Sequence, residues 1–144
     1  MSREEFSLDE IEVGHEFSPL SYTVGQELVR KYVEVVGDED LLHRDLSYAQ
    51  GAGYGGIVAP PTIAALYVLK AYRTDSPPPP GGVHVRQKFK FYRPIIAGDT
   101  LHVQAKVTDK YVRQGRRFLV IESLAQNQTG EDVVWSESTS FWAQ

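Results

Sequence analysis

The sequence predicts an α+β domain in which one long antiparallel sheet curls around a single buried helix. Three observations lead there. Residues 83–141 carry stretches of apolar–polar alternation separated by turn residues, the period of strands with one covered face. Residues 63–69 hold no charge on any side, which marks a helix apolar all round and therefore buried. One such helix covers four or more long strands only if the sheet bends about it.

Residues 1–22 are mixed, with Ile11, Val13 and Phe17 suggesting a short edge strand. A helix is predicted over 25–36. Thr23 and Gln26 have capping-box spacing, Leu28, Val29, Tyr32, Val33 and Val36 recur at helical intervals, and Gly37 stands where a left-handed terminal residue is wanted. Residues 38–56 are acidic and then glycine-rich, and read as an irregular loop with room for one helical turn. Pro60 and Pro61 suit the first turn of the buried helix, where a missing N–H leaves nothing unpaired. Lys70, Arg73 and Asp75 mark its return to solvent. The four prolines at 77–80, with Gly81 and Gly82, form a stiff connection that lies inside one domain, because the β half has no helix of its own to cover it.

In the first long strand Val83, Val85, Phe89 and Phe91 fall on one face and His84, Arg86, Lys88 and Lys90 on the other. Pro94 and Gly98-Asp99 turn the chain. Leu101, Val103, Ala105 and Val107 alternate in the next strand, Gly115 marks a hairpin, and strands at 118–126 and 133–141 are joined through a turn at Gly130. The chain of 144 residues is expected to be one domain, 1–144.

Composition narrows the function. A net charge of −4 gives no general surface for nucleic acid. With no cysteine there is no disulfide, thiolate metal ligand or cysteine nucleophile. No two histidines have metal-ligand spacing, so no metal is expected. The start of the chain lacks the apolar segment of a secretory signal and no apolar run is long enough to span a bilayer, so a cytoplasmic protein is expected. Gly53, Gly55 and Gly56 have no following Lys-Ser/Thr and so do not make a P-loop. Arg86, Lys88, Lys90 and Arg93 read as a solvated strand face, with a cofactor phosphate or an acidic carrier as the sharper alternative.

The informative stretch is Gly37-Asp38-Glu39-Asp40-Leu41-Leu42-His43, followed by Ala49. A carboxylate and an imidazole five residues apart, just past a helix end, can face one small volume and hold a water between them. One takes a proton from that water while a proton is supplied to substrate, a role worth about 10²–10⁴-fold in rate. The pattern Gly-Asp, His five positions after the Asp, and a small residue six after the His resembles the signature of (R)-specific enoyl-CoA hydratases and MaoC-like dehydratases. This chain has Asp40-Leu41 where that family usually has Asn-Pro. Residues 53–62, Gly-Tyr-Gly-Gly-Ile-Val-Ala-Pro-Pro-Thr, are similar to the lead into the central helix of N-terminal MaoC-type dehydratase domains, and Arg93-Pro94 with Gly98-Asp99 and the hairpin at 127–131 match further pieces.

The resemblance implies the hot-dog fold, a catalytic pair of Asp38 and His43, and a substrate carried as a CoA or acyl-carrier-protein thioester with no other cofactor. It implies reversible hydration of a trans-2-enoyl thioester to the (3R)-3-hydroxyacyl thioester. The acyl chain is expected beside the central helix, against Ile63, Leu66 and Tyr67. The family's oxyanion donor, a glycine N–H at the start of that helix, matches Pro60, with Pro61 next. The donor is then sought at Thr62, Ala59, Gly55 or Gly56. The expected assembly is a homodimer, or a heterodimer with another hot-dog chain. The Ala-Pro form of the motif also resembles the non-catalytic subunit of two-chain hydroxyacyl dehydratases, and the fold supports thioesterases as well.

Overall fold

The computed structural model describes residues 4–143. Chain order is β1 (Leu20–Thr23), α1 (Gln26–Val36), a 3-10 turn (Leu41–His43), α2 (Leu46–Gly51), a second 3-10 turn (Pro61–Ile63) running into α3 (Ala64–Ala71), then β2 (Val83–Phe91), β3 (Thr100–Arg113), β4 (Arg116–Gln126) and β5 (Asp132–Ala143). The five strands form one antiparallel sheet in the order β1-β3-β4-β5-β2. Helix α3 lies against β3 and β1. Ile63, Tyr67 and Val68 meet Leu101, Val103 and Val107 there, and Val24, Val29 and Val33 close the core from the α1 side.

Several sequence expectations change. Thr23 does not cap α1. It belongs to β1, opposite Thr100, and its hydroxyl bonds that of Thr100 at 3.2 Å, so α1 starts after Gly25 without a side-chain cap. Strand pairing has taken the hydroxyl that the capping box needed. The stretch 38–56 holds two short helical pieces against the one helical turn expected, each opened by an aspartate. Helix α3 is not buried all round: Leu69 is 44% exposed, on the side turned away from β3 and β1. At the N-terminus the edge strand is Leu20–Thr23. Ile11 and Phe17 are core residues and Val13 is exposed.

The largest change is in β2. The pairing with β5 shifts between His84 and Arg86, so Val85 is an extra residue, a β-bulge. Phe91 opposes Val134 and Phe89 opposes Ser136, on the face turned to α3, whereas Val83 opposes Phe141. Val134 and Phe141 are seven residues apart on a regular strand and point to opposite faces. Val83 therefore joins an outer row with Phe141, Phe118 and Tyr111. The rings of Tyr111 and Phe118 stack at 4.8 Å.

Candidate active site

Gly37 ends α1 with φ 70° and turns the chain out of the helix at Asp38. The Asp38 carboxylate is oriented at once: Oδ1 accepts the N–H of Asp40 at 2.9 Å. Asp40 in turn accepts the N–H of Leu42 at 2.9 Å and opens the 3-10 turn. Its side chain is thus occupied in local structure. That turn brings His43 back, with Nε2 3.7 Å from Oδ2 of Asp38.

His43 is held from its other side. The Val58 carbonyl lies 2.6 Å from Nδ1, and the Val58 N–H donates to the carbonyl of Leu42 at 3.0 Å. A carbonyl only accepts, so Nδ1 carries the hydrogen and Nε2 is the nitrogen turned to Asp38. The 3.7 Å gap is too wide for a direct hydrogen bond. It is a spacing that one water can bridge by touching both groups. The imidazole is 10% exposed and the carboxylate 32%. Asp45 caps α2 by accepting the N–H of Tyr48 at 2.8 Å, and Ala49 is fully buried, which accounts for the small residue at that position.

His43 is a shared wall between two cavities. The first, about 550 Å³, holds Asp38 and is bordered by Val29 and Val33 of α1, by Ile57 and by Ala97. The second, about 410 Å³, is more apolar in its residues and is bordered by Leu42, Tyr54, Val58, Ala59, Pro61 and the 91–95 stretch. A third, about 330 Å³, lies at the far end of α3 beneath the prolines at 77–80.

Among the other residues singled out in the sequence, Ala59 borders the second cavity, and its N–H already donates to the carbonyl of Ile95 at 2.8 Å. Ile63 and Tyr67 are fully buried in the core with Leu66 packed against it, and none of the three borders these cavities. A methyl group on Gly56 would come 2.9 Å from Cγ2 of Ile96, so packing explains that glycine, while Gly55 faces open space. The Thr62 hydroxyl bonds that of Tyr32 at 2.7 Å and ties the start of the central helix to α1.

The basic face of β2 is largely paired within the chain. Lys88 meets Glu137 at 2.8 Å, Arg93 meets Glu131 at 3.9 Å, and the Lys90 ammonium stands 5.2 Å over the Trp135 ring. A hydrogen bond from the Asn127 amide, and after it the charge of Arg93, hold the Glu131 carboxyl below its ordinary range. Among the described residues no cluster of histidine, aspartate and glutamate is arranged to hold a metal, and no helix is long and apolar enough to cross a membrane.

The sequence reading missed two kinds of participant. The Val58 carbonyl carries no side-chain signal. The α1 face, with Arg30 between Val29 and Val33, reads as plain core, although the helical spacing that marks it also brings it to the cavity holding Asp38.

Comparisons with known proteins bear on the family and the fold. The family model described as "FAS1-like, dehydratase domain region" matches residues 12–135. A UPF0336 protein of Saccharopolyspora erythraea is 37% identical over 139 residues, covering 92% of this chain and 89% of the relative. Among solved structures, the C-terminally truncated HadBC (3R-hydroxyacyl-ACP dehydratase) complex of Mycobacterium tuberculosis is similar at 30% identity and TM-score 0.76, over 90% of this chain and 96% of that one. The unliganded R-hydratase PhaJ1 of Pseudomonas aeruginosa is similar at 25% identity and TM-score 0.80, over 95% of this chain and 85% of that one. The curled sheet on its central helix is the hot-dog fold.

Proposed function

The chain belongs to the family of FAS1-like dehydratase domain regions, and from that premise we propose that it reversibly hydrates trans-2-enoyl thioesters to (3R)-3-hydroxyacyl thioesters. The observation that carries this reading is the pair formed by Oδ2 of Asp38 and Nε2 of His43, 3.7 Å apart at the wall of a cavity. A water bridging the two is the nucleophile. Its oxygen bonds to C3, its proton passes to Nε2, and the π pair moves toward the thioester carbonyl. The imidazolium, facing the Asp38 carboxylate, then returns a proton to C2. Dehydration is the same path reversed. No hetero cofactor enters; CoA or an acyl-carrier protein serves as the thioester's carrier.

The test is loss of the enoyl-thioester absorbance with the purified chain and crotonyl-, medium- and long-chain enoyl-CoA. Asp38→Asn and His43→Ala are each expected to lower kcat about 10²–10⁴-fold with unchanged circular dichroism. Near-wild-type turnover in a folded Asp38→Asn protein overturns the pair.

One observation favours a second reading. Pro60 and Pro61 remove N–H groups at the start of the central helix, and the Ala59 N–H is taken by Ile95. A chain short of an oxyanion donor suits an acyl-binding subunit that completes a heterodimer. In that case activity appears in the same assay only on addition of a second hot-dog chain.

A further inference from the structure

We infer that Arg30 reads the phosphate of a phosphopantetheine-type carrier arm lying along α1 with its thioester at Asp38 and His43, an assignment that rests on the hydratase reading above. The cavity holding Asp38 is a trough along one face of α1, where Gln26, Val29, Arg30, Val33 and Gly37 recur at helical spacing. Its floor is apolar, from Val29, Val33, Ile57 and Ala97, and Gln26 and Arg30 stand toward the end remote from the Asp38–His43 pair.

Length and one guanidinium without an ion pair among the described residues point to the occupant. Arg30 lies six positions before the end of α1 at Val36, about 9 Å of helix axis, and Gly37 and Asp38 extend the path beyond it. The pantetheine arm is an amide chain as long as about four residues, roughly 14 Å extended. A thioester at the His43 end therefore brings the arm's phosphate to the Arg30 end. The guanidinium is available for it. One position further on, Lys31 pairs with Glu27 at 3.1 Å. Arg30 makes no ion pair among the described residues, although Glu34, one turn on, borders the same trough together with Glu39. A guanidinium offers a phosphate two parallel N–H donors, which a solvated lysine does not. The trough's other guanidinium, Arg44, directly follows His43 in the chain and so belongs to the end where the thioester lies.

Calorimetric titration of the full chain with 4′-phosphopantetheine and with pantetheine tests this directly. Phosphopantetheine is expected to bind about tenfold more tightly. Arg30→Gln is expected to reduce it to the pantetheine level without changing pantetheine's affinity. Arg44→Gln is expected to leave the discrimination intact. Equal affinities in the wild type, discrimination that survives Arg30→Gln, or no binding of either compound at millimolar concentration overturns the assignment. Arg30 is exposed, so an unchanged melting temperature in Arg30→Gln is the expected control.

Crotonyl-CoA and a crotonyl-carrier protein separate the two sources of the phosphate. The native source is the one with the lower KM, and Arg30→Gln raises that KM about tenfold with kcat kept. Arg30-dependent discrimination in a chain that hydrates neither thioester supports this assignment and overturns the catalytic reading.

Discussion

Tyr67 shows what a single buried hydroxyl costs. It stands in the middle of the central helix with its ring 5.8 Å from that of Tyr22, fully buried, and its hydroxyl meets no partner among the described residues. Burial pushes its phenol well above the ordinary range, so the group is neutral at any working pH. Ser123 and Ser136, also buried, solve the same problem by bonding each other at 2.6 Å. An unpartnered buried hydroxyl costs about 1–3 kcal/mol. Tyr67→Phe keeps the ring and removes that cost, so thermal unfolding should move up by roughly 3–9 °C. A lower midpoint would mean that the hydroxyl has a favourable role in the folded chain. The dyad belongs to the same scale: Asp38 and His43 were legible because both are side chains at a recognisable spacing, whereas the Val58 carbonyl that orients His43 was not.

At the scale of elements, the proline connection is a fitted strap rather than a linker. The indole N–H of Trp142 donates to the carbonyl of Pro79 at 2.9 Å, and the N–H of Phe6 donates to Pro77 at 3.0 Å. Gly82 passes so close that a methyl group there would lie 2.7 Å from the Trp142 ring. Gly82→Ala should therefore force the strap or the ring aside and destabilise the chain by about 1–3 kcal/mol, read by chemical denaturation. An unchanged midpoint would show that the strap yields freely. The strands and the central helix were legible from period-two alternation and from the uncharged run after the prolines. The bulge at Val85 was not. Odd positions 83, 85, 89 and 91 are apolar and only Gln87 interrupts them, so the pattern reads as one phase while the backbone changes phase within it. The short helix α2 has too few residues for periodicity to mark it, although Asp45 is the kind of residue that opens one.

At the scale of the whole molecule, the two sheet edges differ. β1 offers four residues, while β2 offers nine, with Val83, Val85 and Phe91 each about half exposed. A long strand edge with half-exposed apolar residues is a template for another strand, and the expected partner is a second copy or another hot-dog chain. If the isolated chain is a homodimer through this edge, Val85→Lys should shift it toward monomer at micromolar concentration in sedimentation velocity. An unchanged dimer would exclude this edge, and a wild-type monomer would favour the heterodimer reading. The edge was legible as a strand but not as an edge, because strand order depends on tertiary pairing that alternation does not encode.

The hold of Val58 on His43 bears on how such a chain changes over generations. A side-chain partner can be lost to one codon; a peptide carbonyl is inherited whatever residue stands there. Position 58 is thus free to drift among residues that fit the core, and the imidazole keeps its orientation through that drift. Chemistry and architecture are inherited separately here. On the proposed reaction, a single codon change at His43 would remove the imidazole and leave the other walls of both cavities standing, a one-step route by which a duplicated gene for an enzyme becomes the gene for its binding subunit.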